Sequence, residues 1–115
     1  MRIFLAGASG AIGRRLTPLL IAAGHEVTGT TRSVDKVQEP AAGGVDAVVV
    51  DVFNAGAVRD AVVRARPEIV IHQLTDLPHV LDPALLRDAL SRNSRLRIEG
   101  TANLIAQPKQ RALAA

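Results

Sequence analysis

Three glycines at three-residue intervals, Gly7-Ala8-Ser9-Gly10-Ala11-Ile12-Gly13, stand between an apolar run and a segment of helical pattern. Ile3-Phe4-Leu5-Ala6 reads as a buried strand; Arg14-Arg15-Leu16 and Leu19-Leu20-Ile21-Ala22-Ala23 read as a helix. A glycine turn between strand and helix can seat a dinucleotide pyrophosphate. The first glycine permits the tight turn, the second admits the phosphates, and the third lets the helix pack closely. Free N–H groups and the helix dipole attract the anion. The alternative is a turn whose glycines serve packing alone. Ser9 is not a nucleophile-elbow serine, because Ala11 stands where the second glycine of GxSxG belongs, and no Gly-Lys-Ser/Thr completes a Walker loop.

Two further positions suit the same ligand. Gly29-Thr30-Thr31-Arg32 lies about 20 residues after the glycine turn, where an adenosine ribose arrives in a βαβ unit. No carboxylate ends this strand; Arg32 offers a cation for a 2′-phosphate instead, which favours NADP. Arg32 as a solvated surface residue is the alternative, and Asp35 could still serve a ribose, so NAD stays open. Asp51-Val52 follow a third apolar run: Asp51 could accept from an adenine amino group while Val52 packs on the ring, or Asp51 could cap or turn the chain. Gln73, Leu74 and Thr75 follow a fourth run and are expected beside the ribose and pyrophosphate.

The elements that must position these residues alternate. Strands are predicted over residues 2–6, 26–31, 47–50 and 68–73. Helices are predicted over residues 11–23, with Gly24 beyond the end, over a span from an Asn54 cap to Ala65, and from Asp82 or Pro83 past Ala102. Pro18 interrupts the first helix at a cost of up to about 3 kcal/mol, which predicts a kink or a distorted first half. Residues 33–38 read as a short helical or irregular excursion and 39–44 as a surface loop. The fold class is α/β: a Rossmann-type parallel sheet of order 3-2-1-4 with flanking helices, ending before a fifth strand.

Composition narrows the partners. The 115 residues are 48% hydrophobic, enough for a packed core, and contain no cysteine, which fits a reducing cytoplasm. No run approaches a membrane span or a signal peptide, so a membrane is not an expected partner. The net charge of +3 is spread over scattered arginines with 2% aromatics, which argues against nucleic acid. His25, His72 and His79 are not spaced as a metal triad.

The chain resembles the N-terminal part of the extended short-chain dehydrogenase/reductases, the NAD-dependent epimerase/dehydratase group. The matching residues are the glycine turn 7–13, Gly24-His25-Glu26-Val27, Thr31-Arg32, Asp51-Val52 and Glu99-Gly100-Thr101-Ala102-Asn103-Leu104-Ile105, so the likeness covers residues 1–105. It implies NAD(P) binding through Gly7, Gly10, Ile12, Gly13, Arg32, Asp51 and Val52. Two segments depart from the pattern: His72-Gln73-Leu74-Thr75 replaces an alanine- or glycine-rich stretch, and Arg97 stands where many relatives have asparagine. The resemblance also implies a Tyr-x-x-x-Lys pair after strand five, yet the chain has no tyrosine. The expectation is a binding domain without catalytic residues of its own, its substrate unnamed. A regulatory NADPH-binding module and an enzyme completed in trans are the alternatives.

Residues 106–115 form a divergent tail. Pro108 breaks the alanine-rich helix the family continues with, and one shifted-frame back-translation of this segment restores Ala-Ala-Glu-Ala-Ala-Gly-Val. A frameshift near codon 106 is therefore expected to have truncated a longer reductase or epimerase. Strand four would then be an exposed edge prone to self-association.

Overall fold

Alternate residues of the first strand face opposite cores, and this sets the architecture. The computed structural model describes residues 1–74, 83–105 and 113–114. In β1 (Arg2–Ala6), Phe4 and Ala6 pack with Val50, Val52, Val58, Val70, Leu96 and Leu104 on one side of the sheet. Leu5 packs with Ala8, Val27 and Val45 on the other. Each large side chain so buried contributes roughly 1.5–3 kcal/mol, and a strand covered on both faces is what a parallel sheet requires.

The remaining elements follow in the expected alternation. They are α1 (Ala11–Ala22), β2 (Glu26–Thr31), α2 (Gln38–Ala42), β3 (Asp46–Val49), α3 (Ala55–Ala65), β4 (Ile69–His72), α4 (Pro83–Arg95), α5 (Thr101–Ile105) and β5 (Leu113–Ala114). All pairings are parallel and the sheet order is β3-β2-β1-β4-β5. The 3-2-1-4 order is thus observed, with one correction at its outer end. Leu113 and Ala114 pair with Val70 and Ile71, so the sheet does not stop at strand four, whose outer edge is covered at those two residues.

α1 runs continuously through Pro18, which is exposed. Two local expectations also change. The loop expected at 39–44 begins instead as α2, preceded by a 3₁₀ turn over Val34–Lys36. Pro40 falls in the first turn of that helix, where its missing N–H would have had no partner anyway. The long final helix is divided by a wide π turn over Leu96–Gly100. Leu96 and Leu104 both reach the core, and eight α-helical residues overshoot two full turns by about 80°, an excess the wider turn takes up. Gly100 lies in that turn, where a Cβ would come within 3.3 Å of Val52 Cγ2, and the Asn103 side chain donates to the Val52 carbonyl at 2.8 Å. α3 forms as predicted, its first turn capped by Asn54 Oδ1 accepting from the Ala57 N–H at 3.1 Å.

Among the described residues no helix is long and apolar enough to cross a membrane. Of the divergent tail at residues 106–115, only Leu113 and Ala114 are among the described residues.

Candidate functional site

The glycine turn is clamped from within. Gly7 has φ +95°, and a Cβ on it would meet the Gln73 carbonyl oxygen at 2.7 Å. Its N–H donates to Thr30 Oγ1 at 3.1 Å, and the Ala8 N–H donates to the Thr30 carbonyl at 2.8 Å. A Cβ on Gly13 would overlap the Gly7 carbonyl oxygen and lie 2.9 Å from Ala8 Cα. Gly7 and Gly13 therefore answer to packing. Gly10 does not: the nearest atom to a Cβ there would be the Gly7 oxygen at an ordinary 3.6 Å.

Gly10 is also the N-cap of α1, and no side chain caps that helix or places an acid in its first turn. The first N–H groups of a helix have no intrahelical partner and carry the positive end of its dipole. Nothing in the described chain neutralises that end. It borders a cleft of about 440 Å³ lined by Gly7, Ser9, Gly10, Thr30, Thr31 and Arg32, together with Ser33, Lys36, Gln73 and Leu74.

Of the residues singled out from sequence, the fold brings Gly7, Ser9, Gly10, Arg32, Gln73 and Leu74 to this cleft. Ala11, Ile12 and Gly13 stand behind it on α1; Ile12 is exposed and Gly13 buried. Asp51 and Val52 are not among the cleft's walls. Asp51 Oδ1 accepts from the Phe53 N–H at 3.0 Å, the turn-forming role weighed above, and Val52 is buried in the core against Gly100. Asp35 is exposed, its N–H donating to Ser33 Oγ at 3.3 Å. Thr75 lies outside the described residues.

Two walls of the cleft escaped sequence reasoning, Ser33 and Lys36; Thr30 and Thr31 lie in the segment expected at the ribose but were given no role of their own. Thr31 Oγ1 accepts from Ser9 Oγ at 3.1 Å and from the Ser33 N–H at 3.4 Å, tying the glycine turn to the end of β2. Lys36 carried no local signal, because Arg32 precedes the 3₁₀ turn at Val34–Lys36 and no helical spacing relates the two. On the β4 side, the Gln73 N–H donates to the Ala6 carbonyl at 2.9 Å and the Leu74 N–H donates to His72 Nδ1 at 3.2 Å. Accepting at Nδ1 places the proton of neutral His72 on Nε2, which is buried with no hydrogen-bond partner among the described residues. Burial lowers the His72 pKa below the usual 6.5, the nearby Leu96 backbone opposes that, and Arg97 adds to the lowering.

The electrostatics are one-sided. Two cations and an uncapped helix N-terminus face one cleft with hydroxyls between them, which suits a ligand carrying several phosphates.

Comparison with known proteins agrees with that chemistry. A family described as NAD(P)H-binding matches residues 7–111. A Streptomyces 3-diazoavenalumate denitrifying reductase is 45% identical over 110 residues, covering 91% of this chain and 33% of the reductase. The chain thus spans about a third of that relative's length. A Stenotrophomonas maltophila UDP-glucose 4-epimerase solved with NAD shares the fold at a TM-score of 0.73 and 15% identity, over 92% of this chain and 32% of that one. A yeast methylglyoxal/isovaleraldehyde reductase solved with NADPH aligns at a TM-score of 0.59 and 25% identity, over 67% of this chain and 28% of that one.

Proposed function

This chain belongs to the NAD(P)H-binding family, as the Rossmann part of an extended short-chain dehydrogenase/reductase, and we propose that it binds NADP in preference to NAD. The observation that carries the preference is the pairing of Arg32 with Lys36 and Ser33 on one wall of the cleft, opposite the uncapped α1 N-terminus at Gly10. The pyrophosphate fits the Gly10 side, where a Cβ would meet nothing closer than 3.6 Å and backbone can approach a ligand. The adenosine 2′-phosphate fits the Arg32–Ser33–Lys36 side: Arg32 supplies a planar fork of donors, Lys36 a point charge and Ser33 a hydroxyl. Gln73 and Leu74 close the cleft from β4.

When bound, the nicotinamide supplies or accepts the hydride of the reaction. The residues of this chain orient and retain the dinucleotide, and their roles end there. With no tyrosine in the sequence, the family's proton exchange has no donor among these 115 residues. Residues 1–105 are the binding domain of a reductase or epimerase, 106–115 its divergent tail, and a cytoplasm rich in reduced dinucleotide is the setting that suits it.

Calorimetric titration of the chain with NADPH and NADH tests this reading. NADPH is expected to bind tighter, with the difference abolished in Arg32→Ala. Equal affinities in the unaltered chain would remove the NADP preference, and no binding by a folded sample would remove the cofactor role.

A further inference from the structure

We infer that Arg95, delivered by α4 and braced against Phe53, forms the outer wall of the subsite for the adenine ring. The inference rests on the dinucleotide reading above. With the pyrophosphate at Gly10 and the ribose at Arg32, the base must extend past Arg32. What lies there is a second recess of about 70 Å³, lined by Arg32, Phe53, Arg92, Arg95 and Leu96. Arg32 belongs to both spaces and is the partition between them.

The lining is mixed in a way that a simple anion would not require. Three arginines share it with a phenyl ring and a buried leucine. Cations draw a phosphorylated ligand toward the recess, while guanidinium planes and ring faces suit a flat heteroaromatic base. The Arg95 side chain is exposed but has two partners. Its Cζ sits 4.3 Å from the centroid of the Phe53 ring, and its Nε donates to Glu99 Oε1 at 3.1 Å. The backbone at Phe53 is fixed by Asp51, whose carboxylate accepts the Phe53 N–H. A guanidinium already biased toward the ring by its two partners loses less conformational freedom on binding than an unpartnered one.

The test measures NADPH and NADH affinities by calorimetry for the unaltered chain, Arg95→Ala and Arg95→Lys, with apo melting temperatures alongside. Because the adenine ring is common to both dinucleotides, Arg95→Ala is expected to weaken both by the same factor, about five- to tenfold. Arg95→Lys, which keeps the charge but not the plane, is expected to weaken both as well. Affinities within twofold of the unaltered chain in Arg95→Ala overturn the inference. So does full affinity in Arg95→Lys, which would leave charge attraction alone, and so does a loss confined to NADPH, which would assign Arg95 to the 2′-phosphate. If Arg95→Ala fails to fold, Phe53→Leu keeps an apolar side chain, removes the ring, and carries the same expectation of equal weakening. An unaltered chain that binds neither dinucleotide defeats the cofactor reading itself. Binding that Arg95 substitutions leave unchanged defeats only the α4 wall.

Discussion

The two long walls of the cleft are built on opposite principles. The glycine-turn wall is backbone, clamped between β4 and α1 by distances that leave no room for a methyl group at Gly7 or Gly13. The β2 wall presents side chains, Arg32 and Lys36, on exposed residues. The first wall is expected to decide whether a dinucleotide binds at all, and the second which dinucleotide it is. Rigid backbone offers the same N–H groups to any pyrophosphate, whereas a side-chain cation meets only the ligand that carries a matching charge.

Gly13→Ala attacks the clamp most directly, since the added carbon collides with the Gly7 carbonyl and neither backbone segment can yield cheaply. A loss of about 3 kcal/mol in urea unfolding is expected. An unchanged midpoint would mean that the turn is looser than its contacts imply. Gly10→Ala separates binding from stability within the same wall. Its Cβ finds ordinary van der Waals space, so the apo stability is expected to stay within about 1 kcal/mol. NADPH and NADH affinities should both fall about tenfold, because the methyl group enters the phosphate approach. Calorimetry showing normal affinity would move the pyrophosphate elsewhere. On the opposite wall, Lys36→Ala is expected to weaken NADPH by about three- to tenfold with NADH unchanged. A comparable loss for both ligands would erase the division of labour between the walls.

The smallest effect concerns the β4 edge of the cleft. Neutral His72 accepts from the Leu74 N–H through Nδ1, and burial holds its pKa below 6.5 in the folded chain. The unfolded chain therefore takes up the proton first as pH falls. Stability attributable to His72 is complete above pH 6.5 and is lost as pH drops below that value toward the lowered native pKa. Urea midpoints measured between pH 8 and pH 5.5 should decline more in the unaltered chain than in His72→Gln. Parallel curves would show that the His72–Leu74 contact does not report on protonation.

Legibility in the sequence followed the same division as the walls. The turn at 7–13 could be read because backbone demands restrict residue type: only glycine tolerates φ +95° against the Gln73 carbonyl, or the approach of a neighbouring oxygen at Gly13. β2 and α3 were placed correctly because alternation, β-branched content and the Asn54 cap are local signals. Asp51 and Val52 were expected at the adenine, yet neither lines the cleft, since a carboxylate can turn its own chain as readily as it can bind a base. Here it holds Phe53. The π turn at Leu96–Gly100 had no local signature at all, because its cause is the need to bring two distant leucines onto one core.

What the amino-acid order determined by itself is the set of short-range constraints: which residues form strands, where the glycine turn opens α1, and that a cation rather than a carboxylate ends β2. These depend on neighbours a few residues away, where steric and hydrogen-bond rules act without reference to the rest of the chain. Only the tertiary structure decided which side chains share a space. Arg95 of α4 meets Phe53 of the strand-three turn, 42 positions away in the chain, and shares a recess with Arg32. Such meetings are set by the packing of Phe4, Val52, Leu96 and Leu104 in one core, and burial of apolar surface has no direction along the sequence.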